Sequence, residues 1–495
     1  MSWNLSALLA KSDVHPPPGS DGVRINSLCY DSRRASAGAL FFALPGVQAD
    51  GAAFARSAVE NGASAVVAVP DIPDLGVPLA RVPDARAAMA DVARTFFGNP
   101  GEALRAVGIT GTNGKTTTSL LVKHILDTLH LHCGLIGTIR YVVGDESRPA
   151  SRTTPESVDV QDLLAQMVAA GNRSVAMEVS SHALVQHRVR GIEWDAAVFT
   201  NLTQDHLDYH KTMDAYFDAK ALLFERMFEQ KSRRGKSIIN CDDRFGVRLI
   251  ERLPKAARPL TFGMGVRADF RAIDPRSDVH GTQFKLEAKG RQYLVRTPLI
   301  GRFNVYNSLA ALACASSLGL ELRAAVQALA SAPQVPGRLE RVPARRNFTV
   351  YVDYAHTDDA LTNVLSTLRE LRPRRLLVVF GCGGDRDRAK RPLMARAAGQ
   401  LADYAIITSD NPRTEDPGKI IADIVAGMPA TGYETITDRK AAIYRAIELA
   451  DRGDIVLIAG KGHENYQEIN GRRTPFDDVS VARNAIAAKP VEIDD

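Results

Sequence analysis

A chain of 495 residues, 45% hydrophobic and 24% charged, is too long for one ordinary core and too apolar to be disordered, so roughly three globular domains are expected. The formal net charge of +5 is small for this length and is not gathered into a basic stripe, which argues against nucleic acid as a partner and leaves small anionic substrates open. No stretch approaches the ~18 consecutive apolar residues of a membrane span, and the first ten residues lack the basic head of a secretory signal, so a cytoplasmic chain without membrane insertion is expected.

In chain order, residues 1–103 carry a Pro-rich opening and then short apolar runs at 39–44 and 63–69 between turn signals, which read as strands alternating with helices. A second segment, 104–337, opens with an apolar run at 106–109, a Gly-rich turn and a helical period over 119–129. Further strands are expected at 174–179, 196–199 and 237–240, and an apolar helix at 308–318. The densest basic run, residues 231–236, reads as a solvated loop between a helix and the 237–240 strand. After the turn Val335-Pro-Gly-Arg338 a third segment, 338–495, alternates strands at 348–353, 375–380, 404–408 and 455–459 with helical periods, the pattern of a doubly wound parallel sheet. In such sheets ligands gather at the carboxyl ends of strands, where this segment places Asp353-Tyr-Ala-His356, Gly381-Cys-Gly-Gly-Asp-Arg386, Asp410-Asn-Pro-Arg413 and Gly460-Lys-Gly-His-Glu464. Five scattered cysteines, Cys29, Cys133, Cys241, Cys314 and Cys382, form neither a disulfide framework nor a metal-ligand cluster and read as reduced packing groups.

The sharpest motif is Thr110-Gly-Thr-Asn-Gly-Lys-Thr-Thr117, set between a strand and a helix, where backbone N–H groups and the helix N-terminus attract phosphate. Lys115 is placed to reach the outer phosphates of a nucleotide, and the Thr116 hydroxyl to take a magnesium position. The spacing departs from the generic phosphate loop, because Ile109 stands where that pattern begins with glycine. Two later strand ends carry Glu178-Val-Ser-Ser-His182 and Thr200-Asn-Leu-Thr-Gln-Asp-His-Leu-Asp-Tyr-His210. Joining a triphosphate to a carboxylate substrate requires cations to offset their repulsion, and such carboxylates and imidazoles could hold them. Taken alone, Asp205, His206, Asp208 and His210 fit either zinc ligands or a polar loop, and Lys220 reads as an exposed helix lysine.

Together these motifs resemble the Mur ligases and, more distantly, the folylpolyglutamate synthetases, and the resemblance runs in order along essentially the whole chain. It implies an α/β protein of three domains: an N-terminal uridine-binding domain (1–103), a central ATPase-like parallel sheet (104–337) and a C-terminal Rossmann-like doubly wound sheet (338–495). It implies a catalytic set of Lys115, Glu178, His206 and Lys220, and ATP bound by Gly111, Thr112, Asn113, Gly114, Lys115, Thr116, Thr117, Asn304 and Arg338. Two magnesium ions are implied at Thr116, Glu178, His206 and Lys220, the lysine carrying a carbamate derived from carbon dioxide.

A UDP-muramoyl dipeptide is implied at Tyr30, Ser32, Val47, Gln48, Ala49, Arg152, Thr153, Thr154, Ser180, Gln186 and Arg188. In the third domain Arg386, Asp410, Asn411, Pro412, Arg413, Gly460 and Glu464 resemble the branch that selects meso-diaminopimelate, whose extra carboxylate suits a forked guanidinium. The implied reaction joins that amino acid to UDP-N-acetylmuramoyl-L-alanyl-D-glutamate through an acyl phosphate, in a monomer, with His206 or His356 as alternative proton acceptors. L-lysine in place of diaminopimelate, a folylpolyglutamate-type ligase and a scaffold descended from a ligase are the competing readings. Two positions depart from the family: Arg152 stands where some relatives have asparagine, and Asp358 follows Asp353-Tyr-Ala-His-Thr357 where proline is usual.

Overall fold

The computed structural model describes residues 2–46, 50–70, 72–230, 232–344 and 346–490. The chain forms two compact units, one of residues 1–273, 286–293 and 306–329, the other of residues 274–285, 294–305 and 330–495. Three principal sheets, each with its own buried cores, carry the α/β architecture.

The first sheet has four parallel strands, Ser27–Cys29, Ala39–Phe42, Ala63–Ala68 and Leu79–Arg81, in chain order. All four residues of Ala39–Phe42 are buried, as expected for a parallel strand covered on both faces. The helix Ala85–Phe96, capped by Asp84, turns Ala85, Ala88, Met89, Val92, Ala93 and Phe96 into the core on one side, and Val158 from the next segment packs with them. The second sheet centres on the parallel order Cys133–Ile136, Ser174–Glu178, Arg105–Thr110, Ala196–Phe199, Lys236–Asn240, Leu260–Gly263. An antiparallel hairpin, Arg140–Val143 with Glu146–Pro149, closes one edge. Because Arg105–Thr110 is central and its neighbours Ser174–Glu178 and Ala196–Phe199 run parallel to it, Gly111, Glu178 and Thr200 emerge side by side at one edge.

In the second unit six strands take the order Glu340–Val342, Thr349–Asp353, Ile455–Ala459, Leu376–Phe380, Tyr404–Ile407, Tyr433–Thr435, all parallel except the first. Ile455–Ala459 is buried throughout and central, so the loop after it lies between the loops that follow its neighbours. Asp358 is the first residue of the helix Asp358–Glu370, where an acid suits the helix dipole as well as proline suits the missing N–H, so the family departure there leaves the turn intact.

The structure differs from the sequence reading in several places. Helices begin earlier, at Lys115 and Arg302, because their first turns are polar and break the apolar period. Three strands, Phe270–Asp278, Gly281–Ala288 and Arg291–Thr297, had no counterpart in that reading. Arg233, in the basic run, is not solvated: its guanidinium bonds Asp195 at 2.7 Å and the Leu104 carbonyl at 2.7 Å. Lys220 is not an exposed helix lysine but is 1% exposed. All five cysteines are free, four of them buried, and burial pushes the thiols of Cys29, Cys133 and Cys382 up to about 11, 12 and 12. Among the described residues no helix is long and apolar enough to cross a membrane.

Candidate active site

The loop from Gly111 to Gly114 leaves the central strand and turns into the helix Lys115–Thr128. Its two glycines are sterically required. Gly111 has φ +148° and a Cβ there would sit 1.9 Å from Thr200 Oγ1; Gly114 has φ +85° and a Cβ would sit 2.4 Å from Asn307 Oδ1. The loop is braced by the neighbouring strand end, with the Asn113 N–H donating to Asn201 Oδ1 at 2.9 Å and Thr200 Oγ1 donating to the Asn113 carbonyl at 2.7 Å. Lys115 Nζ folds over the loop, donating to the Gly111 and Thr112 carbonyls at 3.0 and 2.7 Å. Asn307, which the resemblance groups with Asn304 in a segment beside the adenine, accepts from Thr118 Oγ1 at 3.2 Å and so stands against the start of this helix.

Glu178, at the end of the adjacent strand, is buried and fully engaged. Its carboxylate accepts from Thr116 Oγ1 at 2.9 Å and from the N–H and hydroxyl of Thr138 at 2.8 and 2.9 Å. Lys220 enters from the helix Met213–Glu229, donating to the Gly111 carbonyl at 2.8 Å with its Nζ 4.5 Å from the centre of the Tyr216 ring. Burial, aided by the positive charge of Lys115, drives the Lys220 pKa well below that of an ordinary lysine. Thr116, Glu178, Lys115 and Lys220 therefore meet around one loop.

His206 lies beside them at φ +54°, its imidazole 3.5 Å from Asp205 and its pKa lowered chiefly by burial. His182, which the sequence reading did not single out, packs its ring 5.1 Å from His206 and 5.5 Å from His210. His210 is tied to Ser181 at 2.8 Å, and burial, with His182 close by, holds it at about 4, which makes it a neutral packing group. Among the described residues no group of three or more His, Cys, Asp or Glu is placed to hold a metal by itself. A cation that takes most of its ligands from phosphate and water remains compatible with this site.

A second cluster lies at the next strand-end loop. Thr154 Oγ1 bonds the Glu178 carbonyl at 2.7 Å and accepts from the Ser180 N–H at 3.1 Å, while Thr153 and Thr138 hydroxyls meet at 3.1 Å. Arg188 donates to the Thr154 carbonyl at 2.8 Å and to Gln186 at 2.7 Å. Behind them Glu156, its side chain 4% exposed, is ringed by Arg86, Arg152 and Arg188 at 2.9, 3.1 and 3.0 Å. Three guanidiniums around one carboxylate leave a positive excess suited to an anionic substrate. Arg86 and Glu156 were not expected from sequence. Glu156→Gln loosens this ring, and the KM for the carboxylate-bearing acceptor is expected to rise about tenfold with the KM for ATP unchanged, measured by steady-state phosphate release. An equal rise in both would assign Glu156 to the fold alone. Tyr30 donates to Asp159, and Ser32 is buried in the adjoining turn. Val47, Gln48 and Ala49 lie outside the described residues.

In the second unit the residues expected to bind the amino acid lie at strand ends. Arg413, at φ +53°, is held by its backbone against Glu468 and Asn470 and donates to the Gly384 carbonyl at 2.6 Å. Gly384 belongs to the loop that presents the exposed Arg386. That loop is anchored from within by the buried Arg391, whose guanidinium bonds Glu415 at 2.8 and 3.0 Å. Asn411 donates to Glu464 at 2.8 Å; Asp410 and Pro412 are buried, and Gly460 passes so close that a Cβ would lie 2.6 Å from Asp410 Oδ2. Arg338 stacks its guanidinium 5.2 Å from the centre of the Tyr354 ring, and the Asn304 amide donates to the Ile300 carbonyl at 2.8 Å.

A glycine-turned phosphate loop at the centre of a parallel sheet, with a buried carboxylate and lysine against it, defines a nucleotide-dependent enzyme of the phosphate-loop class. Family models extend this over most of the chain: the Mur ligase family catalytic domain matches residues 24–97, the Mur ligase middle domain residues 109–315, and the Mur ligase glutamate ligase domain residues 337–462. The chain belongs to the Mur ligase family, and it is an ATP-dependent ligase that forms an amide bond. It is 46% identical to a UDP-N-acetylmuramoyl-L-alanyl-D-glutamate–2,6-diaminopimelate ligase of Solibacter usitatus over 98% of each chain. It is 49% identical to the ligase of that name from Geobacillus kaustophilus, over 93% of this chain and 95% of the relative. A solved structure of a ligase with the same name superposes with a TM-score of 0.72 at 37% identity, covering 99% of both chains. A Mycobacterium tuberculosis folylpolyglutamate synthase shares the fold, with a TM-score of 0.62 at 19% identity over 81% of this chain and 95% of that one.

Proposed function

We propose that this ligase joins meso-diaminopimelate to the D-glutamate side-chain carboxylate of UDP-N-acetylmuramoyl-L-alanyl-D-glutamate, forming the UDP-muramoyl tripeptide of peptidoglycan. The observation that carries the reading is the 46% identity along 98% of both chains to a ligase named for those two substrates. Its substrate-binding segments are bounded at 1–103, 104–337 and 338–495, a division in keeping with the three sheets, and it acts as a monomer in the cytoplasm, where ATP and uridine-linked precursors are available.

The acceptor carboxylate attacks the γ-phosphorus of ATP and releases ADP, leaving an acyl phosphate. The amine of the incoming amino acid then attacks the acyl carbon, inorganic phosphate departs, and one proton is released. Backbone N–H groups of residues 111–117 cradle the phosphates, and Lys115 exchanges its loop carbonyls for phosphate oxygens as charge moves onto the transferring group. Arg188 and its Glu156-bound neighbours hold the acceptor, and Arg413 and Glu464 orient the amino acid.

The residues fit the cofactors that the family implies. Lys220 is a buried amine whose pKa burial drives down, which favours the neutral form that carbon dioxide requires for carbamate formation, and the resulting anion would join Thr116, Glu178 and His206 as oxygen and nitrogen donors for two magnesium ions. Bound magnesium supplies charge neutralisation for the phosphates.

The test supplies ATP, magnesium and the acceptor, and compares meso-diaminopimelate with L-lysine by phosphate release and product mass. Turnover restricted to diaminopimelate supports the reading; equal use of lysine removes the specificity; turnover with neither overturns the substrate assignment.

A further inference from the structure

The loop after the central strand Ile455–Ala459 contains a residue that no part of the proposed chemistry employs. Lys461 turns inward, and its side chain is 0% exposed. Its Nζ donates to Asn411 Oδ1 at 2.9 Å and lies 3.5 Å from Glu464 and 3.8 Å from Asp410. The same Asn411 oxygen accepts from the Glu468 N–H at 3.0 Å, and the Asn411 amide donates to Glu464 at 2.8 Å. One ammonium thus ties together three side chains of the amino-acid site, which come from two different loops.

The base of this arrangement is rigid. Arg439, wholly buried, makes a two-toothed pair with Asp478 at 2.7 and 2.8 Å. The same guanidinium reaches the carbonyls of Ala459 at 3.0 Å and Ser409 at 3.5 Å, the residues just before the two loops. The groups facing Lys461 are therefore Asp410, Glu464, Arg439 and Asp478, with the Tyr466 ring centre 5.6 Å away.

We infer that Lys461 is a positioning residue that sets both the spacing and the net charge of Asp410, Asn411 and Glu464, and through them the preference for an amino acid with a carboxylate at its far end. The inference rests on the proposed substrate. Lys461 is too deep to touch that substrate, so it acts through its neighbours. With its charge in place, one of the two carboxylates beside it is cancelled, leaving a single negative charge to receive an ammonium. Without it, two carboxylates within 4 Å of one point repel each other in a poorly solvated site. A doubly negative pocket also repels the distal carboxylate of diaminopimelate, a penalty that lysine escapes.

Replacing Lys461 with methionine tests this. In K461M the KM for meso-diaminopimelate is expected to rise about 10- to 100-fold at pH 8.5, with the KM values for ATP and the acceptor within about twofold of wild type. The preference for diaminopimelate over lysine is expected to fall with it, because the uncancelled second carboxylate repels the distal carboxylate of diaminopimelate only. A residue that merely supported the fold would lower Tm without moving this preference. Lys461→Arg keeps the charge and is expected to keep most of the preference.

A folded K461M with unchanged KM and preference overturns the inference, as does an equal rise in all three KM values. Should the methionine variant not fold, the arginine variant decides: its forked head displaces Glu464, so the KM for diaminopimelate alone rises about threefold or more, and an unchanged value overturns the inference. Wild-type protein inert with both amino acids overturns the substrate reading and the Lys461 role with it. An active wild type beside an unchanged variant overturns the Lys461 role alone.

Discussion

Lys220→Ala is expected to fold and to lose turnover by about 10³-fold or more, with part of the activity restored by millimolar acetate or formate in a phosphate-release assay. The lysine Nζ shares the Gly111 carbonyl with Lys115 and is surrounded by protein, a setting in which an ammonium is strongly disfavoured. A neutral amine there can take up carbon dioxide and present an oxygen anion toward the phosphate loop, and a small carboxylate diffusing into the space vacated by the side chain supplies the same charge. Full activity of the alanine variant would remove the role altogether, and loss without rescue would leave the lysine acting as an amine.

The same burial has a stability consequence whose sign is fixed. The unfolded chain protonates this lysine up to the ordinary pKa of about 10.4, whereas the folded chain does not, so the unfolded state binds more protons and stability rises with pH across the interval between the two values. Lys220→Met should melt higher than wild type in buffer free of carbon dioxide at pH 7, with the gap closing toward pH 10.

Arg413→Ala is the second substitution with a large expected effect. It should lower kcat/KM for meso-diaminopimelate by about 10²- to 10³-fold while changing any use of L-lysine little, so that the proposed preference nearly disappears. The guanidinium is held at the Gly384 carbonyl, and its backbone is locked by paired hydrogen bonds to the hairpin strand that contains Glu468, so the fork is preset rather than recruited. In the proposed role, a carboxylate at the far end of the substrate would gain charge-assisted bonds from it and an aminobutyl end would gain none. Equal losses with both amino acids would assign Arg413 to loop structure instead of selection.

Much of the framework was legible because it depends on local pattern. The strands Ala196–Phe199 and Ile455–Ala459 were read with their observed bounds, each being a short apolar run between polar turns. The phosphate loop was legible because its glycines are demanded by close approach of Thr200 and Asn307. The strands between Phe270 and Thr297 were not, since they are rich in Arg, Asp and Lys and only their alternation, buried Thr282, Phe284, Leu286 and Ala288 against exposed Gln283 and Lys285, marks them.

The charged residues whose burial no local pattern marks share one property. Lys220, Arg233, Glu156, Lys461 and Arg439 are ionisable groups that each have a partner tens of residues away or more, and a charged letter in a helix or loop points by default to the surface. Only the pairing, a tertiary fact, reverses that default. Glu156 illustrates the limit: nothing in Thr153-Thr154-Pro155-Glu156 announces that Arg86, seventy positions earlier, will reach its carboxylate.

The placement of the thiols bears on how the enzyme can be handled and observed. Alkylating reagents attack the thiolate, and burial denies both access and ionisation to Cys29, Cys133, Cys314 and Cys382. Cys241, just after the strand Lys236–Asn240, is the partly accessible exception, although burial raises its pKa too. A maleimide dye applied to the unmodified protein would settle there first, giving a single reporter two residues from the Asp243 cap of the following helix without any engineered cysteine.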